Sequence, residues 1–163
     1  MNKNSDPRSF PGKKAPESAG EILHRRTRVL IADDEWAFRD LLLLAFEDEG
    51  YDVVAVGDGA CLLDVLEASL LPKSGIKPFD LVVSDVRMPG WVGLSALENL
   101  SSSPQTPPVV VITAFGSEEV HRRAEKAGAV AVLDKPFYIA ELTALSRRVP
   151  RPARSVGLEP RRY

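Results

Sequence analysis

Short runs of consecutive apolar residues recur along the chain: Val29-Leu30-Ile31-Ala32, Val53-Val54-Ala55-Val56, Leu81-Val82-Val83, Val109-Val110-Val111-Ile112 and Val130-Ala131-Val132-Leu133. Each has the length of a strand and lacks polar alternation, the pattern of strands covered on both faces of a parallel sheet. Helices are therefore expected on both sides. Between the second and third runs, Leu62, Val65, Leu66, Ser69 and Leu70 recur at helical spacing and form one stripe. Leu41, Leu44 and Ala45 repeat this after the first run. Ser117 followed by Glu118 and Glu119 supplies an N-cap and negative charge where the helix dipole favours it, and Gly128 is placed to end that helix. Ile139, Leu142, Leu145 and Val149 define a last helix. A short helix over roughly residues 94 to 100 stops at the Ser101 to Ser103 run and Pro104.

Strand and helix thus alternate five times, which predicts a doubly wound α/β sheet with right-handed crossovers. In such sheets ligands bind beyond the carboxyl ends of the strands, at the switch in strand order. The residues just after each apolar run are the place to look for chemistry.

Composition limits the alternatives. The chain has 163 residues, 44% apolar and 27% charged, ordinary values for one compact core. Its formal charge of -2 conceals a segregation: residues 1 to 28 carry +4, residues 147 to 163 carry +5, and the middle carries -11. The domains expected are a basic tail over 1–26, a folded unit of about 120 residues over 27–148, and an Arg/Pro-rich tail over 149–163. Both tails read as disordered and solvated. An acidic folded unit is a poor nucleic-acid surface, so no specific nucleic-acid binding is expected. No run is long enough to span a bilayer, and the polar N-terminus with Pro7, Pro11 and Pro16 has no signal-peptide core. Cys61 is the only cysteine, which excludes disulfide frameworks and multi-cysteine metal sites and fits a cytoplasmic setting.

At the strand ends lie Asp33 and Asp34, then Asp85, then Thr113 and Ala114, then Lys135 and Pro136. Three carboxylates at the mouths of neighbouring strands would repel unless a cation neutralised them. Oxygen ligands without His or Cys point to Mg2+. Lys135 would add a fixed positive charge, and Thr113 a hydroxyl for an anion. Taken singly each has a plain reading, Asp34 for instance as the N-cap of the next helix. Their convergence on one sheet edge favours a site.

Over roughly residues 27 to 148 the sequence resembles the receiver domain of bacterial two-component response regulators. The residues that carry the likeness are Asp33-Asp34, Asp85-Val86-Arg87-Met88-Pro89-Gly90 with Gly93, Thr113-Ala114 and Lys135-Pro136-Phe137. The fold then expected is a five-stranded parallel sheet in the flavodoxin-like order 2-1-3-4-5. The resemblance implies that Asp85 is a phosphoacceptor, taking a phosphoryl group from a sensor histidine kinase or a histidine phosphotransfer protein. It implies Mg2+ held by Asp34 and Asp85, by Asp33 through water, and by the backbone carbonyl of Arg87. Lys135 would pair with a phosphoryl oxygen, Thr113 would turn toward another, and the Lys135-Pro136 bond would be cis.

Some positions depart from the family pattern. Receiver domains commonly carry an aromatic three residues before the lysine, where this chain has Val132. Arg87 and Phe115 occupy two positions that border the phosphoryl group in the family; they are expected to restrict a hydrolytic water. Trp36, Trp91 and Cys61 read as packing residues, and His24 and His121 show no ligand pattern. Gly57-Asp58-Gly59 lacks the third glycine of a dinucleotide site, and no P-loop occurs. Arg87 stands where an aspartyl-phosphate phosphatase needs a second acid. The reading is a stand-alone receiver that catalyses only its own phosphorylation and dephosphorylation and signals by protein contacts. The alternative is a receiver-fold module that binds its partner regardless of phosphorylation.

Overall fold

The computed structural model describes residues 25–88, 97 and 105–150. Five strands form one sheet: β1 (Arg28–Ala32), β2 (Asp52–Val56), β3 (Leu81–Asp85), β4 (Val109–Thr113) and β5 (Ala131–Asp134). Every pairing is parallel and the order is β2-β1-β3-β4-β5, as expected. The order reverses at β1 and β3. The register aligns Ala32 with Ser84 and Asp85 with Ile112, so the ends of β1, β3 and β4 reach one edge together.

Among the described residues four helices flank the sheet: α1 (Trp36–Asp48), α2 (Gly59–Leu70), α3 (Glu118–Lys126) and α4 (Ile139–Arg148). Because successive strand residues point to opposite faces, each apolar run feeds two cores. Leu30, Ala32, Val82, Val109 and Val111 pack with Leu62 and Leu66 of α2 and Ala124 of α3. Val29, Ile31, Leu81, Val83, Val110 and Ile112 pack with Leu42 and Phe46 of α1 and Leu142 of α4. Every residue of β3 and β4 is buried. Leu97 is helical and buried in the first core; the rest of the helix expected over 94–100 lies outside the described residues. None of the described helices is long and apolar enough to cross a membrane.

The helix ends follow local chemistry. The Ser117 side chain accepts from the Val120 N–H at 3.3 Å, and the Asp58 carboxylate accepts from the Cys61 N–H at 2.7 Å. Gly128, with φ 94°, ends α3 as expected. Gly50, with φ 84°, ends α1 in the same way, and the sequence reading did not single it out. In both cases two amides beyond the helix return to its last carbonyls, Gly50 to Glu47 and Tyr51 to Phe46, Gly128 to Glu125 and Ala129 to Ala124. The Phe46 and Tyr51 rings meet edge to face at 5.2 Å and close the first of these turns. No atom lies within 4 Å of a Cβ added at Gly50, so only backbone strain opposes a side chain there. Gly50→Ala should cost about 1 kcal/mol in urea unfolding; unchanged stability would contradict the left-handed backbone.

Three expectations need correction. Leu41 and Leu44 are exposed, and α1 instead buries Leu42 and Phe46. Residues 41–44 are all leucine, so helix phase is set by Phe38 and Phe46, eight residues apart with Leu42 midway, which together bury more area. Trp36 is 70% exposed and Cys61 is exposed, so neither is a packing residue; each sits in the first turn of its helix, on the side away from the sheet. Arg25, placed in the N-terminal tail, grips Asp80 through one guanidinium nitrogen at 2.8 and 2.9 Å, while the Arg28 N–H donates to the same carboxylate. Val149, placed in the C-terminal tail, packs on the second core; residues 1–24 and 151–163 of the expected tails lie outside the described residues, as does Trp91.

Candidate functional site

Where β1, β3, β4 and β5 end, the structure assembles the expected residues. Asp33 follows β1 and is fully buried, Asp85 closes β3 with 6% of its surface exposed, and Asp34 is exposed beside them. One carboxylate oxygen from each lies within 4.8 Å of the other two. The loops hold these groups in place. The Glu35 N–H donates to Asp33 Oδ1 at 2.9 Å, and the Arg87 N–H donates to Asp85 Oδ1 at 2.8 Å. The second contact fixes the backbone of Arg87, expected to offer its carbonyl. Asp34 is not the N-cap; that position is Glu35, without a side-chain cap bond. The alternative structural role for Asp34 is thereby removed.

Lys135 follows directly on β5. Its Nζ donates to Asp33 Oδ2 at 2.6 Å and to Asp85 Oδ2 at 3.0 Å, joining carboxylates from two strands. Burial disfavours the ammonium, but the hydrogen bonds it donates to Asp33 and Asp85 and the charges of both outweigh it, so its pKa is raised. The lysine is positioned by its backbone, since its N–H donates to the Thr113 carbonyl at 2.7 Å, and the Lys135-Pro136 bond is cis. Its Nζ also lies 4.3 Å from the centre of the Phe38 ring, which meets Phe137 edge to face at 5.8 Å. Sequence reasoning missed Phe38; its signal was an aromatic one helical turn after Asp34.

Thr113 ends β4, buried, and its Oγ1 accepts from the Phe115 N–H at 3.2 Å. The Arg87 guanidinium lies over the Phe115 ring, 4.3 Å from its centre. Arg39, also unpredicted, donates to the Asp33 carbonyl at 2.6 Å. Beyond the site, His121 Nε2 pairs with Asp134 Oδ1 at 2.8 Å, giving the histidine a partner that the sequence did not reveal. A Cβ at Gly116 would collide with that same Asp134 carboxylate. Val132, at the aromatic position of the family, is half-buried and packs on the first core.

An acidic cluster at the switch point of a 2-1-3-4-5 parallel sheet, bridged by a lysine before a cis proline, defines a class of signalling domain. A family model described as response regulator receiver domain matches residues 29–147, and the chain belongs to that family. Among curated relatives, the transcriptional regulatory protein PdtaR of Mycobacterium tuberculosis is 40% identical over 116 residues, covering 71% of this chain and 52% of that protein. FixJ of Bradyrhizobium diazoefficiens is 34% identical over 125 residues, covering 77% and 57%. The chain thus spans about half the length of the curated relatives it matches. Among solved structures, the receiver domain of Francisella response regulator 1452 superposes with a TM-score of 0.66 at 29% identity, covering 75% of this chain and 94% of that one. The chemotaxis protein CheY4 of Vibrio cholerae superposes with 0.63 at 27% identity, covering 77% and 99%.

Proposed function

We propose that this domain accepts a phosphoryl group onto Asp85 from a sensor histidine kinase or a histidine phosphotransfer protein, in a reaction that needs Mg2+. The observation that carries the reading is the Lys135 ammonium bridging Asp33 and Asp85, two of three converging carboxylates. One lysine cannot neutralise three acids, and the all-oxygen donor set suits a hard divalent ion. Asp34 and Asp85 would hold Mg2+ directly, Asp33 through water, with the Arg87 carbonyl completing the protein ligands. When bound, Mg2+ supplies positive charge that offsets charge on the transferring group.

The chain's own residues perform the rest. A carboxylate oxygen of Asp85 attacks phosphorus as the bond to the donor histidine nitrogen breaks, and that electron pair returns to the imidazole. Lys135 already touches Asp85 and follows the charge onto a phosphoryl oxygen. Thr113 keeps its hydroxyl proton for donation, because its oxygen is the acceptor toward Phe115. The protein catalyses only its own phosphorylation and dephosphorylation, in the cytoplasm, and its output is a contact with a downstream protein.

Intact mass after incubation with phosphoramidate tests this. One phosphoryl adduct with Mg2+, and none with excess EDTA, is the expected result. A folded, Mg2+-binding protein that gains no adduct would shift the reading to the phosphorylation-independent module.

A further inference from the structure

Residue 115 is tied to both sides of the site, although 61% of its surface is exposed. Its N–H donates to Thr113 Oγ1, and its ring carries the guanidinium of Arg87, whose own N–H holds Asp85 Oδ1. Its carbonyl accepts from the Ser117 N–H at 3.0 Å, and Ser117 caps α3. A continuous chain of contacts therefore runs from the Asp85 carboxylate through Phe115 to the first turn of α3. Val132, by contrast, packs on the core.

We propose that Phe115 is the aromatic that displays the state of Asp85 at the protein surface. The inference rests on the phosphoacceptor reading and adds to it the output residue. A phosphoryl group on Asp85 brings oxygens with several acceptor sites and added negative charge beside Arg87 and Thr113. An exposed cation–π contact is weaker than charge-assisted pairing of a guanidinium with phosphoryl oxygens. The guanidinium therefore leaves the ring. The Thr113 hydroxyl turns to donate to the phosphoryl group, which loosens the second tie on residue 115. Freed from both, the Phe115 ring takes a new position, and the loop from Phe115 to Ser117 moves with it. The surface presented to a partner then combines an apolar ring with the acidic first turn of α3, Glu118 and Glu119. A partner with an apolar pocket beside basic side chains fits that surface.

The test places 4-trifluoromethyl-phenylalanine at position 115 of the full chain and follows its fluorine resonance during modification by phosphoramidate and Mg2+, with intact mass read on the same sample. A second resonance whose intensity tracks the adducted fraction is expected. It should be missing in Asp85→Asn carrying the same label, and Arg87→Met should move the unmodified resonance. Adduct formation with an unmoved resonance would overturn this inference and leave the phosphoacceptor reading standing. A second resonance in Asp85→Asn would also overturn it. Absence of any adduct would remove the phosphoacceptor reading and this inference together.

Discussion

Asp85→Asn should carry no phosphoryl adduct in the phosphoramidate assay, while unfolding within about 2 kcal/mol of the wild type. Asparagine has the shape of aspartate but no carboxylate oxygen able to attack phosphorus. The structural cost is small for a reason visible in the contacts. Asp85 accepts from Arg87 N–H with one oxygen and from Lys135 with the other, and asparagine can keep only one of these. The lost hydrogen bond is offset by removal of one of three crowded charges. Asp33 is a poor second acceptor because it is fully buried with Lys135 already on it. An adduct of wild-type yield on a folded Asp85→Asn protein would assign the chemistry to another carboxylate.

Lys135→Met should have the second large effect, on stability and on rate together. Methionine keeps an unbranched apolar chain but leaves Asp33 and Asp85 facing each other without the cation that joined them. Breaking a buried ion pair costs about 3 kcal/mol or more, because the carboxylates left behind are desolvated and unpaired. Urea unfolding in EDTA should show that loss. Mg2+ should restore more stability to the variant than to the wild type, since the ion then replaces the only ammonium in contact with the cluster among the described residues. Phosphorylation should slow on the order of a hundredfold, the usual effect of removing one fixed charge from a developing anion. Because its partners raise the Lys135 pKa, the contribution of this lysine is present below the ordinary value of 10.5 and is lost only as pH rises through the higher folded value. Equal stability of variant and wild type in EDTA at neutral pH would refute the role given to this bridge.

Strand positions, strand-end residues and the first-turn chemistry of α3 were legible in the sequence because each is a local signal. Consecutive Val, Ile and Leu leave no polar face for solvent, and Ser117 with Glu118 and Glu119 satisfies amides within one turn. The phase of α1 was not legible. Four consecutive leucines offer several stripes, and only the sheet face, filled by Phe38, Leu42 and Phe46, chooses among them. The roles of Phe38 and Arg39 were also hidden, because one depends on a lysine distant in sequence and the other on a loop whose path no periodicity predicts.

By itself the sequence determined the alternation of strands and helices, the residues at the strand ends, and hence the acidic chemistry of one edge. Apolar continuity and side-chain type are properties of short segments, and they survive without knowledge of the neighbours. Tertiary structure alone decided which oxygens meet. Sheet register brings Asp85 of β3 level with the end of β1, and parallel pairing of β4 with β5 carries Lys135 across 102 residues of chain separation to Asp33. A contact between such remote groups exists only once the sheet has closed around them, because the free chain has no means of holding two buried charges 2.6 Å apart.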